Sequence, residues 1–528
     1  MVQISFISYN LEIMKNKNTF ENFIKKKIQT VDSLSEISRN KKKNNKKIVL
    51  CHGTFDLLHA GHFRHFQDSK NLGDVLVVTV TSDKFINKGP GRPLFNQYLR
   101  AEMIASLSYV DFVGVVDDPS AIPSIKKIKP DIYVKGIDYK DKKSDFTKKI
   151  IEEEKEVKKN GGVLKFTDNI TFSSSSLINE NIFSYEKKLS KILENYKSLG
   201  FSYISSLIEK IKNLRVMLIG DSILDEYIYT DTLGKSAKES ILATLKKNEE
   251  MFAGGSIAAA NNISDFCKSV FLITTLGSTN KENEDFVKSQ LSSNIKLCST
   301  KLKDRPITKK TRFVDSSYMR KMFEVYDMDD SPIDKNEEKK IIYAIKRNLP
   351  FVDLIIVTDF GHGLLNNKII EEIYKSKTFL AINAQTNSAN RGYNLITKYK
   401  SADYICIDEP EFRLAMHDKN TSLKKLLLNS NNLPKAKVFI VTTGKNGCLI
   451  KTKEKILEIP AFTNTVVDTI GAGDAFFVIS SLFAYLDSSP MDIGFIGNVS
   501  GALKVNILGH SSSIKKSHFL KFIESVIK

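Results

Sequence analysis

At 528 residues the chain exceeds what one hydrophobic core ordinarily serves, which predicts two domains and excludes a lone binding module. With 41% hydrophobic residues, 32 Phe and 18 Tyr it has apolar surface enough to offset chain entropy, which excludes wholesale disorder. The formal charge of +18 rests mostly on Lys that travels with Asn and Ile, the pattern AT-rich codon usage produces; with no basic helix or aromatic-basic motif beside it, no nucleic-acid partner is expected.

Residues 1–45 show apolar and basic positions at loosely helical spacing and end in a polar run, which predicts a helical arm and connector. No stretch approaches the roughly 20 apolar residues of a membrane span, so no membrane insertion is expected. Cys51, Cys267, Cys298, Cys406 and Cys448 are isolated, odd in number and never in C-x-x-C spacing. Neither a disulfide framework nor a zinc site is indicated, and a cytoplasmic location is expected. From Ile48 short apolar strands alternate with helical stretches as far as residue 180, the pattern of βαβ units on a parallel sheet. Residues 181–213 carry no strand signal and read as a helical linker. A second α/β series, 214–528, begins with RVMLIGDSILD and includes strands at Val270–Gly277, Asp353–Gly363, Thr378–Asn383, Asp403–Asp408 and Lys437–Gly444.

In the first series GTFDLLHAGHFRH follows a buried strand. His59 and His62, three residues apart, fall on one face of a helix's first turn, beside the positive end of its dipole. Two imidazoles so placed bind a triphosphate and stabilise charge on phosphorus as pyrophosphate leaves. His52 and His65, in the same stretch, are read as structural or solvent-facing. The segment His59-Ala60-Gly61-His62 resembles the H-x-G-H motif of the nucleotidyltransferase superfamily, which implies a Rossmann-like domain over 46–180. Three features carry the resemblance further: a strand ending in Ser-Asp with a Lys/Gly/Arg/Pro loop, Lys88 and Arg92 in it, and an Arg-bearing helix; VKGIDY at Val134–Tyr139; and FSSSSLI at Phe172–Ile178. It assigns Gly53, Thr54, Phe55, Lys88, Arg92, Ser173, Ser174 and Ser175 to nucleotide and phosphate binding, with ATP or CTP as donor.

In the second series VVDTIGAGDAFF places Gly471, Ala472 and Gly473 directly before Asp474 and an apolar helix. Small residues there let backbone N–H groups converge on an anion, and Asp474 is placed to accept a hydroxyl proton during in-line phosphoryl transfer. This is similar to the D-T-x-G-A-G-D signature of the ribokinase family and implies a ribokinase-like α/β domain with a small β lid. The resemblance makes Asp225, Gly254 and Gly255 substrate-binding. It sets Thr443, Gly444 and Gly447 beside ATP, with the anion at Gly471, Ala472 and Gly473. Asp408 and Glu411 would organise Mg²⁺ through water.

Together the halves resemble the fused heptose 7-phosphate kinase/heptose 1-phosphate nucleotidyltransferases, with the domain order reversed. The resemblance implies a bifunctional cytoplasmic enzyme of nucleotide-sugar synthesis, acting on sugar phosphates and nucleoside triphosphates and assembling as a homo-oligomer. Three departures predict a different sugar: Ala258 where those kinases carry a sugar-binding Asn, Asn383 in their Asp-Pro-Lys strand end, and His362 for the Lys of their D-Y-x-K-G loop.

Overall fold

The computed structural model describes residues 22–86, 88–89, 91–139, 149–167, 187–452, 455–462 and 466–527, and the chain divides into two units between Tyr185 and Glu186. The first unit is built on β1 (Ile28–Gln29), β2 (Ile48–Gly53), β3 (Val75–Thr81), β4 (Phe112–Val116), β5 (Ile132–Gly136) and β6 (Val163–Thr167). All are parallel, in the order β1-β4-β3-β2-β5-β6. The helices are α1 (Val31–Lys43), α2 (Ala60–Lys70), α3 (Gln97–Ala105), α4 (Ile122–Ile128) and α5 (Lys149–Lys159). β2 and β3 are near-continuous apolar runs because both faces of the sheet are covered. The strand order reverses direction between β2 and β5, and ligands of doubly wound sheets bind outside the carboxyl ends of such strands.

The expected arm and connector of residues 1–45 is, over its described part, built into this unit. β1 pairs with β4, and Leu34 of α1 is fully buried in the core on one face of the sheet. Ser38 Oγ donates to the Ile128 carbonyl at 2.7 Å. Leu34 lies so close to Gly114 of β4 that a Cβ there would come within 2.6 Å of it. A two-residue strand carries no readable alternation, so composition reported only the basic outer face of α1.

The second unit starts with α6 (Lys187–Leu199) and α7 (Phe201–Ile211). These helices, expected as a linker, are docked on the unit's own core. Tyr196 is buried against Phe495, ring centroids 4.0 Å apart, and Tyr196 and Tyr203 both donate to Asp492, at 2.8 and 2.9 Å. The main sheet has the order β11-β10-β7-β14-β15-β16-β17-β18-β19. Its strands are β7 (Arg215–Gly220), β10 (Ser269–Gly277), β11 (Ile295–Leu302), β14 (Leu354–Asp359), β15 (Phe379–Ala384), β16 (Ser401–Asp408), β17 (Lys435–Thr442), β18 (Cys448–Lys451) and β19 (Ile456–Ile459). It is parallel through β17 and antiparallel at the β18–β19 edge. A second sheet, β13-β12-β8-β9, is formed by β8 (Ser222–Lys235), β9 (Leu242–Gly254), β12 (Thr308–Asp315) and β13 (Arg320–Asp327), and is the expected lid. Covering helices are α8 (Gly255–Ser264), α9 (Lys281–Ser289), α10 (Lys335–Asn348), α11 (Asn367–Tyr374), α12 (Glu409–Met416), α13 (Leu423–Leu428), α14 (Ala472–Tyr485) and α15 (Pro490–Lys504). Both units are α/β, a Rossmann-like fold followed by a ribokinase-like one.

Candidate functional sites

In the first unit β2 ends at Gly53, and the chain turns through Thr54–Leu58 before α2 begins at Ala60. Phe55 adopts φ +49° and lays its ring over Gly53, where a Cβ would meet the ring at 2.9 Å, so glycine is required there. His59 is the N-cap of α2 with extended backbone, and its ring stacks on that of His62 at 3.9 Å between centroids. His62 meets the Phe55 ring edge-on at 5.3 Å, and its Nδ1 is buried without a hydrogen-bond partner among the described residues. Burial pushes His62 down to about 3, and the charges of His59, His65 and Lys88 act in the same direction; burial also lowers His59. Both imidazoles are therefore neutral near pH 7, held against each other at a helix N-terminus. Among the flanking histidines, His52 Nδ1 hydrogen-bonds Thr79 Oγ1 at 3.0 Å and His65 Nδ1 hydrogen-bonds Thr167 Oγ1 at 2.8 Å. Both rings are thus held by threonine hydroxyls of neighbouring strands.

Half-buried Lys88 lies close enough for its charge to depress His62. Arg92, expected to face phosphate, turns inward instead. Its Nη1 pairs with fully buried Asp56 at 2.9 Å, and Asp56 also accepts the Leu94 N–H at 2.6 Å. An unpaired Asp56 would be costly at that depth, so the arginine neutralises the turn and fixes the loop. Ser173, Ser174 and Ser175 lie outside the described residues. The arginine of the expected Arg-bearing helix is Arg100 of α3, to which the sequence assigned no role. Fully buried, it donates to the carbonyls of Thr54, Phe95 and Thr81 at 2.5, 2.9 and 2.8 Å and pairs with Asp83 at 2.6 Å. One guanidinium thus ties the ends of β2 and β3 together, a fork lysine could not supply. An arginine on the apolar side of a helical pattern was the available signal.

In the second unit Gly471, at φ +74°, is the N-cap of α14, and Gly473 opens to free space: a Cβ there would meet nothing within 4 Å. Asp474 is buried behind this mouth and accepts a hydrogen bond from the Gln385 amide. Burial raises its pKa to about 6, Asp225 adds to the rise, and Gln385, Lys504 and Lys310 oppose it.

Asp225 of β8 and Lys310 of β12 are register partners in the lid, and Arg312, two residues on, ion-pairs with Asp225. The expected substrate carboxylate is thus already held by a guanidinium, which also lies 3.3 Å from Glu324. Gly254 and Gly255 join β9 to α8 directly over this carboxylate; a Cβ on Gly254 would lie 2.1 Å from Asp225 Oδ2. Asp468 accepts from Tyr227, Lys321 and the Gly509 N–H. Burial alone would raise Asp468, but these contacts hold it at about 2.

Thr443, Gly444 and Gly447 form the turn between β17 and β18. Thr443 donates to the Gly447 carbonyl, Gly444 is exposed with open space above it, and Gly447 at φ +92° packs against the Ile459 carbonyl. Asp408 and Glu411, expected to organise Mg²⁺, form a capping box on α12: Asp408 accepts the Glu411 N–H at 2.8 Å, and Glu411 accepts the Asp408 N–H at 3.0 Å and the Thr386 N–H at 3.1 Å. Among the described residues neither carboxylate has an ion-pair partner; burial raises both, helped at Asp408 by the charge of Glu409 and at Glu411 by that of Asp408, while the hydrogen bonds of the capping box oppose the rise. An acidic pair with Glu411 buried, Asp408 exposed at its mouth and no countercation among the described residues fits a hydrated divalent cation. No cluster of three or more His, Cys, Asp or Glu able to ligate a metal directly occurs among the described residues.

Around the carboxyl ends of β14 and β15 lie buried polar atoms with no hydrogen-bond partner among the described residues: Thr358 Oγ1, Asn383 Oδ1 and both ring nitrogens of His362. Asn262 accepts the Ile514 N–H and Asn261 bonds Gln290 and Ser292.

Comparisons with known proteins divide along the same line. A family model described as cytidylyltransferase-like matches residues 50–181, and one described as pfkB family carbohydrate kinase matches 213–516. The curated protein "Bifunctional protein HldE" of Campylobacter jejuni subsp. jejuni is 38% identical over 142 residues, 26% of this chain and 30% of that protein. The protein of the same name from Nitratiruptor sp. is 42% identical over 128 residues, 23% of this chain and 28% of that one. The chain thus spans less than a third of the length of these relatives, and the matches lie in its N-terminal part. The expectation of a reversed domain order is accordingly not upheld, since these matches set no kinase half of a relative opposite residues 213–516. Among solved structures, ribokinase from Thermotoga maritima aligns at 16% identity and TM-score 0.47, covering 59% of this chain and 99% of that one. Phosphofructokinase-2 from Escherichia coli with fructose-6-phosphate aligns at 14% and 0.46, covering 60% and 100%.

Proposed function

The chain belongs to the pfkB family of carbohydrate kinases, and from that premise we propose that it is a bifunctional enzyme of nucleotide-sugar synthesis. In this reading the second unit phosphorylates a sugar phosphate with ATP, and the first transfers AMP or CMP from a nucleoside triphosphate to a sugar 1-phosphate, releasing pyrophosphate. The observation that carries it is the pairing, in one chain, of a buried carboxylate behind an open glycine mouth at a helix N-terminus with two stacked neutral imidazoles at another. In the kinase, Asp474 takes the proton of the acceptor hydroxyl, whose oxygen attacks the γ-phosphorus in line while the α14 N–H groups hold the transferred oxygens. Asp408 and Glu411 would hold Mg²⁺ through water, which would supply charge neutralisation between the phosphates. In the transferase, His59 and His62 take the triphosphate oxygens with the α2 N-terminus, and Lys88 supplies charge beside them.

The acceptor is proposed to differ from heptose 7-phosphate. The unpartnered His362 and Asn383 atoms present neutral hydrogen-bonding groups, and a site built on such groups penalises a sugar that leaves them unpaired by about 1–3 kcal/mol, roughly five- to a hundredfold. A cytidylyl donor is the second reading, favoured by the cytidylyltransferase-like match. All five cysteines are free, which supports a cytoplasmic location. Exposed apolar side chains on the lid, among them Leu242, Leu245, Phe323 and Val325, support a homo-oligomer joined through that sheet. The test is a panel of sugar phosphates scored for ADP formation, and of sugar 1-phosphates with ATP or CTP scored for pyrophosphate. Absence of both products across the panel refutes the bifunctional reading, and heptose 7-phosphate giving the highest kcat/KM refutes the altered acceptor.

A further inference from the structure

Lys504 ends α15 fully buried, and its ammonium donates to the Gly509 carbonyl. It lies directly behind the glycine mouth: a Cβ on Gly471 would fall 3.1 Å from Lys504 Cε and 2.6 Å from His510 Cε1. The surrounding charges can be matched one by one. Asp225 of β8 is held by Arg312 of β12, with His510 Nε2 at 3.5 Å, and Asp468 is held by Lys321 of β13. His510, buried, is pushed down to about 4 and is neutral. Lys310 of the lid feels Asp225 and Asp474. Asp474 takes its hydrogen bond from the uncharged Gln385. Lys504 is therefore left as a buried cation in contact with a carbonyl; among the described residues no carboxylate lies within ion-pair distance of it, and Asp468, Asp474 and Asp225 act on it only through their nearby charge. Burying an ammonium in this way is expensive unless an anion arrives to share the site.

We propose that Lys504 is the charge behind the phosphoryl cradle: its ammonium adds to the α14 N-terminus, and the two together hold the transferred phosphoryl group during reaction. This rests on the kinase reading above. Lys504 acts through the cradle without touching the acceptor, and is a positioning residue. Burial lowers its pKa to about 8, against the opposing pull of Asp468, Asp474 and Asp225. A bound phosphate raises that value again, so anion binding draws in a proton.

The test measures proton uptake when the non-hydrolysable analogue AMP-PNP binds the full chain at pH 8.5, by calorimetry in two buffers of different ionisation enthalpy. His59 and His62 lose their protons far below that pH and contribute little. The wild type should take up about half a proton or more and Lys504→Met none. In steady state Lys504→Met should lower kinase kcat about a hundredfold with KM for ATP changed only a few-fold. It should also abolish the fall of kcat/KM above about pH 8, and methylammonium should restore part of the rate. Equal uptake in the two proteins, or an unchanged alkaline limb, overturns the role of Lys504. Normal uptake in a wild type that forms no ADP with any sugar keeps the charged cradle and refutes the kinase reading alone. If Lys504→Met does not fold, Lys504→Arg carries the test: it should keep the charge and move the alkaline limb upward, and an unmoved limb overturns the proposal.

Discussion

The stacked imidazoles of His59 and His62 set the expectation at residue scale. His62→Ala should lower pyrophosphate release by at least about a hundredfold and leave ADP formation unchanged, as parallel assays on one preparation will show. Asp474 gives a pH dependence with a definite sign. Only its ionised form takes a proton, so kinase kcat/KM should rise with pH and level off above about 6. The same shift has a stability side. The folded protein binds this proton more tightly than the unfolded chain, whose carboxyl titrates near 3.8, so stability is lost as pH rises from about 4 to about 6. Asp474→Asn should therefore abolish phosphorylation yet raise stability at pH 7 by about 1–3 kcal/mol, a gain that disappears near pH 4 in denaturant titrations.

At the scale of elements, the two glycine turns of the kinase unit separate function from fold. Gly473→Ala adds a methyl group into open space, so thermal unfolding should be unchanged while the methyl blocks the anion and ADP formation falls at least tenfold. Gly254→Ala drives a Cβ to 2.1 Å from Asp225 and should damage both the melting temperature and activity. These turns were legible in sequence because small residues before a helix have few other uses. Strands such as Ile48–Gly53 and Leu354–Asp359 were legible as buried apolar runs. Partnership was not legible. Nothing in a linear pattern says that Arg92 turns inward to Asp56 or that Arg312 occupies the carboxylate of Asp225, whereas the Asp408/Glu411 cap has the spacing of a capping box and could have been read. Arg92 and Asp56 stand 36 residues apart and Arg312 and Asp225 87 apart, and only the folded chain brings each pair together. Arg100 and Lys504 escaped for the opposite reason: a charged residue in a helix normally reads as surface.

For the whole molecule, the separation of the units predicts separable activities. A chain inactivated at Asp474 and one inactivated at His62 should, when mixed, show both the kinase and transferase rates of the wild type. The place of division has a practical edge. The family match begins at residue 213, and a fragment trimmed there would lose α6 and α7. It would strip the two tyrosine hydroxyls from Asp492 and uncover the Phe495 ring. The kinase half should thus be recovered intact when the chain is severed ahead of Lys187 and aggregate when severed at 213. Homology and physical integrity draw the border of this domain about 26 residues apart.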